Sequence, residues 1–259
     1  MLIAHALGLR RLDLYLQHDR PLTDEELGRL REAVRERGRG VPVAQLTGVR
    51  EFHSLSFTVT RDVLVPRPET EGLVEVAVAF LAPVERARFV DVGTGSGCVG
   101  VSMLKALPTA RAFATDVSSA ALAVARGNAV RHEVADRFDA REGSLLGPIA
   151  AEPSFGALDA VVSNPPYVVR GDPTLSRDVA EHEPAVALYV EGDDSLALVR
   201  ALAREARPAL RPGGLLAVEI GHRDGERARA LLAGAGYEDV DVIADLGGVP
   251  RVVRGTTPR

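Results

Sequence analysis

The sequence predicts an α/β fold built on a doubly wound, mostly parallel seven-stranded sheet. From about residue 67 onward, short apolar strand-like runs alternate with longer runs of helical periodicity, which is typical of a parallel sheet covered by helices on both faces. A glycine-rich turn follows the first of these strands, FVDV, and a helix follows the turn. The chain ends with two strand-like runs joined by a short turn at Gly247-Gly248, which must therefore pair antiparallel.

The region before this alternation has a different character. The first forty residues are helical in pattern, and Thr23-Asp24-Glu25-Glu26 forms a capping box ahead of apolar residues at helical spacing. Val41-Pro42 marks a linker, and alternating apolar residues from Phe52 to Val65 predict a β-hairpin that turns near Arg61-Asp62. We expect a small helical region over 1–48, a linking β-hairpin over 49–66 and a catalytic, ligand-binding domain over 67–259.

The α/β domain divides into elements as follows. The predicted helices are PETEGLVEVAVAFLA, GCVGVSMLKAL, a run from Ser118 to about Val130, SLALVRALAREA and GERARALLAGA. The predicted strands are RFVDV, RAFATDV, a run near RFDAR, LDAVVS, GLLAVEI, YEDVDVIA and VPRVVRG. The pattern therefore predicts seven strands, of which the last two form the antiparallel terminal pair.

Composition excludes several classes of protein. The net charge of −5 gives no general attraction to nucleic acid or to anionic membranes. The single cysteine, Cys98, excludes an intramolecular disulfide and a multi-cysteine metal site, and the histidines lack metal-ligand spacing, so no metal is expected. No apolar run reaches membrane-spanning length, and the start MLIAHALGLRR lacks the features of a signal peptide. We therefore expect a cytoplasmic protein.

The glycine loop VDVGTGSGCVG has two interpretations as a ligand site. Gly95 to Gly100 satisfies G-x-G-x-x-G, and Asp116 lies about twenty residues on, as in a dinucleotide site. From Asp91, the same stretch is the D-x-G-x-G-x-G loop of S-adenosylmethionine-dependent methyltransferases, in which Asp91 and the glycines would hold the methionine moiety and Asp116 the ribose hydroxyls. A tight strand-to-helix turn is the structural alternative, with Asp116 or Ser118 as a helix N-cap.

The stretch VSNPPYV ends the fourth strand, LDAVVS, and favours methyl transfer. Proline lacks an N–H and forces the residue before it into an extended conformation, so the Asn164 side chain and the Pro165 carbonyl are left as stiff, free acceptors. Two such acceptors suit a planar NH2 group, a poor nucleophile that they would orient and whose developing positive charge they would stabilise. Tyr167 can stack on a flat substrate group. The structural alternative is a rigid loop with Tyr167 packed as a lid.

In seven segments the chain resembles the bacterial peptide chain release factor N5-glutamine methyltransferases. These segments are VPVAQLTGVREF, LVPRPETE, VDVGTGSG, VSNPPYV, EPAVALYVEGDDSL, LRPGGLLAVEIG and DLGGVPRVV. NPPY alone also occurs in adenine-N6 and cytosine-N4 nucleic acid methyltransferases, whereas LTGVREF, PRPETE and the glycine loop at this spacing are far more specific. The resemblance implies a class I, Rossmann-like methyltransferase fold with S-adenosylmethionine as cofactor. It also implies a substrate, the glutamine of the Gly-Gly-Gln loop of class 1 release factors.

The resemblance also implies roles for individual residues. The NPPY residues Asn164, Pro165, Pro166 and Tyr167 would hold and pack on the substrate amide. The cofactor would be bound by Asp91, Gly93, Thr94, Gly95, Ser96, Gly97, Asp116 and Asn164, with Leu145 near the adenine. The helical region over 1–48 would contribute to gripping the release factor, although it is shorter than the usual domain of the family.

Three residues of PRPETE, Arg67, Glu69 and Glu71, are candidates for the substrate entrance. Ordinary helix-start chemistry explains a proline followed by acidic residues equally well. Glu219, at the end of GLLAVEI, is a weaker candidate of the same kind.

Several other functions remain open from the sequence. The substrate could be a glutamine of another translation protein, such as a ribosomal protein, or an adenine amine in nucleic acid. Enzymes of the latter kind extract the base and usually carry basic or aromatic surface, whereas this chain has no Trp and 4% aromatic residues. Stable nucleic acid binding is therefore not expected. A cofactor-binding scaffold without turnover and a dehydrogenase are the remaining alternatives.

Overall fold

The computed structural model describes residues 1–259, and its secondary structure alternates regularly after the first fifth of the chain. The helices are α1 (Leu2–Leu7), α2 (Arg11–Leu16), α3 (Asp24–Gly38), α4 (Val43–Thr47), α5 (Glu71–Leu81), α6 (Cys98–Ala106), α7 (Ser119–Arg131), α8 (Arg177–His182), α9 (Ala185–Leu188), α10 (Ala197–Ala209) and α11 (Gly225–Gly234). The strands are β1 (Val49–Phe52), β2 (Leu55–Thr58), β3 (Arg88–Val92), β4 (Arg111–Asp116), β5 (Phe138–Glu142), β6 (Leu158–Ser163), β7 (Leu210–Glu219), β8 (Glu238–Ala244) and β9 (Pro250–Thr256).

Seven of these strands form one sheet in the order β5–β4–β3–β6–β7–β9–β8. The first five of that order pair parallel, and β9 pairs antiparallel with both β7 and β8. The predicted α/β class with an antiparallel terminal pair is thereby confirmed. The chain order reverses between β3 and β6, which places a crevice outside the carboxyl ends of these two strands.

Helices cover both faces of this sheet because its strands are apolar on both sides. All six residues of β6 are buried. Val162 contributes to the core that includes α5, α6 and α7, whereas its neighbour Val161 contributes to the core that includes α10 and α11. Since successive side chains of a strand point to opposite faces, a run such as LDAVV fills both cores at once.

The β1–β2 hairpin turns earlier than the sequence predicted. Its turn is at His53 and Ser54, both in the left-handed region with φ of 48° and 61°, and Phe52 pairs with Leu55. The prediction of a turn near Arg61-Asp62 was therefore wrong. A two-residue turn of this kind usually carries Asn or Gly, which His53 and Ser54 do not signal. Beyond β2 the apolar residues are not a second strand. They form a separate small cluster of Val59, Val63 and Val65 with Ala44 and Ala121.

The hairpin is fixed firmly to the α/β domain. Phe52 and Phe57 are fully buried in the same core as Phe89 of β3. The buried Asn128 of α7 also binds β2, because its Oδ1 accepts from the Thr58 N–H at 2.8 Å and its Nδ2 donates to the Thr58 carbonyl at 3.0 Å. The same Nδ2 donates to the Ser96 carbonyl at 2.9 Å. One side chain thus joins the hairpin, α7 and the glycine loop.

Helices α3 and α4 each contact α8. The predicted capping box of Thr23 and Glu26 is present at the start of α3. Farther along, Arg37 forms an ion pair with Asp178 at 2.9 Å, and Gln45 Nε2 donates to the His182 carbonyl at 2.8 Å. None of the helices is long and apolar enough to cross a lipid bilayer.

Candidate active site

A cavity of about 1020 Å³ opens at the carboxyl ends of β3, β4 and β6. Its wall includes most of the residues that the sequence singled out: Asp91, Gly93, Thr94, Gly95, Ser96, Asp116, Leu145, Asn164, Pro165 and Pro166. The crevice predicted from the strand order and the predicted ligand loop therefore coincide. Gly97 and Tyr167 lie outside this wall. Gly97 lies next to Ala125 of α7, and the Tyr167 hydroxyl contacts Glu219.

The glycine loop is shaped by the backbone of the adjacent strand. The N–H groups of Gly93 and Thr94 both donate to the Thr115 carbonyl of β4, at 2.8 and 3.0 Å. Gly93 and Gly95 adopt φ of 68° and 54°, and an added Cβ at either position would meet no atom within 4 Å. These glycines therefore face open space, and their lack of a side chain leaves the loop backbone accessible to a ligand.

Asp91 holds this loop from inside. Its carboxylate Oδ2 accepts from the Thr94 hydroxyl at 2.7 Å and from the Gly100 N–H at 3.0 Å. Burial raises the pKa of Asp91 to about 6, against the opposing effect of these two hydrogen bonds. Asp91 consequently fixes both the loop and the first turn of α6.

Asp116 organises the opposite side of the loop. Its Oδ2 accepts from the Gly95 N–H and its Oδ1 from the Ser118 N–H, both at 2.9 Å. The N-cap of α7 is Ser118, whose Oγ accepts from the Ala121 N–H at 3.1 Å. Asp116 is therefore not needed as a helix cap, and its carboxylate lines the cavity at the end of β4.

Leu145 completes this part of the wall. It lies in the left-handed region with φ of 49°, and its carbonyl accepts from the Thr115 hydroxyl at 2.8 Å. Thr115 thus contacts both sides of the cavity, through its carbonyl to the glycine loop and through its hydroxyl to Leu145.

The NPPY segment begins directly at the end of β6. The hydroxyl of Ser163 donates to the Val92 carbonyl at 2.7 Å, which joins the ends of β6 and β3. Asn164 is half-buried, and its Nδ2 donates to the Thr70 hydroxyl at 3.0 Å. Neither Asn164 Oδ1 nor the Pro165 carbonyl accepts a hydrogen bond from the protein. Two consecutive residues of the cavity wall therefore each keep a free oxygen acceptor.

Tyr167 is not part of the cavity wall. It is half-buried, and its hydroxyl donates to Glu219 Oε1 over a long 3.4 Å. Glu219 is fully buried at the end of β7, and its second oxygen has no hydrogen-bond partner. Burial raises the pKa of Glu219 to about 7, and burial next to this carboxyl also raises the pKa of Tyr167.

Comparison with known proteins identifies the family. The model of the PrmC N-terminal domain matches residues 1–48, and that of the methyltransferase small domain matches residues 74–182. The release factor glutamine methyltransferase of Chlorobaculum tepidum is 41% identical over 95% of this chain and 84% of its own length. That of Burkholderia pseudomallei is 41% identical over 100% of this chain and 90% of its own length. This chain belongs to the release factor glutamine methyltransferase family.

Solved structures of methyltransferases share the fold of this family member. The hMettl16 catalytic domain, solved with a MAT2A 3'UTR hairpin, matches 84% of this chain and 81% of its own with a TM-score of 0.64 and 16% identity. A ribosomal protein L11 methylase from Lactobacillus delbrueckii subsp. bulgaricus matches 74% of this chain and 80% of its own, with a TM-score of 0.52 and 20% identity. At these identities the likeness concerns the fold alone.

The PRPETE segment of this methyltransferase is divided among different contacts. Arg67 lies in the cavity wall, and its guanidinium donates at 2.6 Å to Glu183, whose side chain is fully buried. Glu183 also accepts from the Val65 N–H at 3.0 Å. Glu71 accepts from the His53 N–H of the hairpin turn at 2.9 Å, outside the wall. Glu69 is half-buried and is likewise not part of the wall.

Three residues that contact the site escaped the sequence reasoning: Thr70, Asn128 and Glu183. Thr70 stood inside the PRPETE segment but was not singled out. Glu183 begins the EPAVALYVEGDDSL segment but was not singled out either, and Asn128 lies in no motif; the partners of both are distant along the chain. The one available signal was that a polar residue expected to be buried must have a hydrogen-bond partner somewhere in the fold.

Gly97 gives a first test of the loop geometry. Its φ is 80°, and an added Cβ would lie 3.1 Å from the Ala125 Cβ and 3.2 Å from the Ala125 Cα of α7. Gly97→Ala should therefore lower the free energy of unfolding by about 1–2 kcal/mol. Gly127→Ala is the control, since Gly127 is an exposed α7 residue with open space around it, and it should stabilise by about 0.5–1 kcal/mol. Urea unfolding of both variants measures this, and equal effects would contradict the geometry.

Proposed function

We propose that this chain transfers the methyl group of S-adenosylmethionine to the side-chain amide nitrogen of a glutamine, in the Gly-Gly-Gln loop of class 1 release factors. One observation carries the proposal. Asn164 and Pro165, each with a free oxygen acceptor, line the same cavity as the glycine loop and Asp116. The names of the relatives in Chlorobaculum tepidum and Burkholderia pseudomallei support the same substrate.

The residues present fit S-adenosylmethionine as the cofactor. The open backbone at Gly93 and Gly95 leaves room for the methionine moiety, and Asp116 offers a carboxylate for the ribose hydroxyls. Leu145 provides an apolar contact for the adenine in the wall beyond. When bound, this cofactor would supply an electrophilic methyl group near the carboxyl ends of β3 and β6.

The chain's own contribution is to hold the nucleophile. A glutamine amide nitrogen is weakly nucleophilic because its lone pair is delocalised into the carbonyl. Asn164 Oδ1 and the Pro165 carbonyl would each accept one N–H, which fixes the nitrogen in line with the methyl group. The same two dipoles would stabilise the positive charge that develops on the nitrogen. Pro165 and Pro166 keep both acceptors stiff. The packing of Tyr167 on the amide stays a prediction, since its hydroxyl is engaged with Glu219.

Residues 1–48 are proposed to take part in recognition of the release factor. They contact α8 through Arg37 and Gln45, and α8 lies in the segment that follows NPPY. A substrate held by these helices would therefore be close to the cavity wall. Such a substrate would also place the reaction in the cytoplasm, where translation terminates.

Isotope transfer tests the proposed function directly. The protein is incubated with S-adenosylmethionine labelled in the methyl group and with purified class 1 release factors, and labelled peptides are located by mass spectrometry. The label should appear on the glutamine of the Gly-Gly-Gln loop and be absent from a release factor in which that glutamine is alanine. Ribosomal proteins, RNA and DNA are supplied in parallel reactions. Efficient labelling of any of these with blank release factors would overturn the assignment of the substrate.

A further inference from the structure

The Asn164 carboxamide has two chemically opposite ends, and catalysis as proposed above needs one particular end to face the cavity. If Oδ1 faces the substrate, it accepts an N–H. If the group is rotated by half a turn, its own NH2 would confront the NH2 of the substrate, and two donors repel. Rotation of a primary amide changes its shape very little, so packing alone discriminates poorly between the two states. A hydrogen-bonding partner must therefore set the orientation.

Thr70 is the partner in a position to do this. Its hydroxyl accepts from Asn164 Nδ2 at 3.0 Å, and no other side-chain hydrogen bond involves Asn164. Thr70 is 2% exposed, so water has little access to replace it. The residue stands at the start of α5, where a threonine often caps the helix, but its side chain makes no cap hydrogen bond there. The hydroxyl thus serves Asn164 and not the helix.

Glu219 favours one direction of the hydrogen bond between Thr70 and Asn164. A threonine hydroxyl can donate as well as accept, so on its own it would tolerate either orientation of the amide. Burial raises the pKa of Glu219, and the nearby Thr70 hydroxyl opposes that rise, while one oxygen of the carboxyl has no hydrogen-bond partner of ordinary geometry. In its ionised form the Glu219 carboxylate only accepts, so that form attracts the hydroxyl hydrogen and leaves the Thr70 oxygen to accept from Asn164. Three other groups also shift the pKa of Glu219: Glu69 raises it, and Arg251 and Tyr167 lower it.

We propose that Thr70 is a positioning residue that holds the Asn164 carboxamide with Nδ2 turned inward and Oδ1 turned toward the substrate. The role belongs to the hydroxyl, and the fold of α5 does not depend on it. Thr70 acts through Asn164 and does not contact the reacting atoms. Its catalytic consequence rests on the proposed function, but the orientation itself can be observed without any turnover.

Nuclear magnetic resonance can observe the amide directly, because Asn128 and Asn164 are the two asparagines of the chain. Selective ¹⁵N-asparagine labelling therefore yields two side-chain NH2 pairs, and Asn164→Ala identifies which pair belongs to Asn164. Thr70→Val keeps the branched shape and removes the hydroxyl, whereas Thr70→Ser keeps the hydroxyl. We expect Thr70→Val to shift the Asn164 pair and speed its solvent exchange by about 3- to 10-fold, as for the loss of one hydrogen bond. Thr70→Ser should retain the wild-type signals, and the Asn128 pair should be unchanged in both.

Steady-state kinetics on the same variants measures the consequence for turnover. Thr70→Val should lower kcat by about 10- to 100-fold, on the scale of a misplaced catalytic group. KM and the affinity for S-adenosylhomocysteine should stay within about threefold, and Thr70→Ser should recover most of the rate. A purely structural role would instead lower the melting temperature and leave kcat of the folded protein unchanged.

The outcomes separate this inference from the proposed function. An unshifted Asn164 pair in Thr70→Val, or a Thr70→Val rate equal to that of wild type, overturns the positioning role. If wild type itself transferred no methyl group to a release factor, the proposed function would fail. The resonance experiment would still decide whether Thr70 orients Asn164.

Discussion

Replacing Asn164 with alanine is expected to lower kcat by about 10²–10³, the scale for removing one preorganised polar group at a developing charge. The structure supports a loss in rate and not mainly in stability, because Asn164 Oδ1 has no partner in the protein and Nδ2 makes a single hydrogen bond, to Thr70. The affinity for S-adenosylhomocysteine should change much less, since the glycine loop and Asp116 form separate contacts. Turnover, calorimetric affinity and melting temperature of the same variant measure the three quantities.

The second asparagine provides a matched control. Asn128 is fully buried and makes three hydrogen bonds, to the Thr58 backbone and to the Ser96 carbonyl. Asn128→Ala should therefore show its largest effect in melting temperature, since one buried and two half-buried polar groups lose their partner. The hypothesis that NPPY merely stiffens a loop predicts the same pattern for Asn164→Ala. A folded Asn164→Ala protein with wild-type turnover would mean that the motif does not act on the substrate.

Asp116→Ala is expected to weaken binding of S-adenosylhomocysteine by about 1.5–3 kcal/mol, or roughly 10- to 150-fold in Kd. Two effects contribute to this loss. The carboxylate would no longer accept from the ribose, and the Gly95 and Ser118 N–H groups would lose the acceptor that positions them. Isothermal titration calorimetry measures the change in Kd.

The neighbouring strand offers the control for this substitution. Asp139 of β5 is exposed and pairs with Arg141 at 2.7 Å, away from the cavity wall. Asp139→Ala should leave the affinity for S-adenosylhomocysteine as it is in wild type. Equal affinity in Asp116→Ala and wild type would exclude Asp116 from the cofactor site. Binding of NAD in place of S-adenosylhomocysteine would favour the dinucleotide interpretation of the loop.

The sequence predicted the sheet well because its strands are short apolar runs with clear ends. LDAVVS and RFVDV carry apolar residues on both faces, so burial in a parallel sheet is the stable arrangement for both. The position of NPPY followed from the same pattern, since the ends of parallel strands meet at one edge of the sheet. The cavity wall consequently contains the predicted loop residues except Gly97, together with the first three NPPY residues.

The contacts that support the site could not be predicted in this way. Asn164 and Thr70 are 94 residues apart, and Arg67 and Glu183 are 116 apart. Periodicity describes which face a residue occupies but not which distant side chain it will meet. The predicted position of the hairpin turn was wrong for a local reason, because His53-Ser54 adopts a turn whose usual residues are Asn and Gly.

The hydrogen bond between Ser163 and the Val92 carbonyl has an evolutionary consequence. It locks the ends of two adjacent core strands, and the glycine loop and NPPY begin directly after these ends. In the proposed mechanism, the sheet and not the surface loops would therefore set the separation between methyl donor and acceptor. Substitutions in the segment from 168 to 192 could alter which protein reaches the cavity while the reacting distance stays the same. In that arrangement, the range of protein substrates can change in evolution while the proposed methyl-transfer site stays the same.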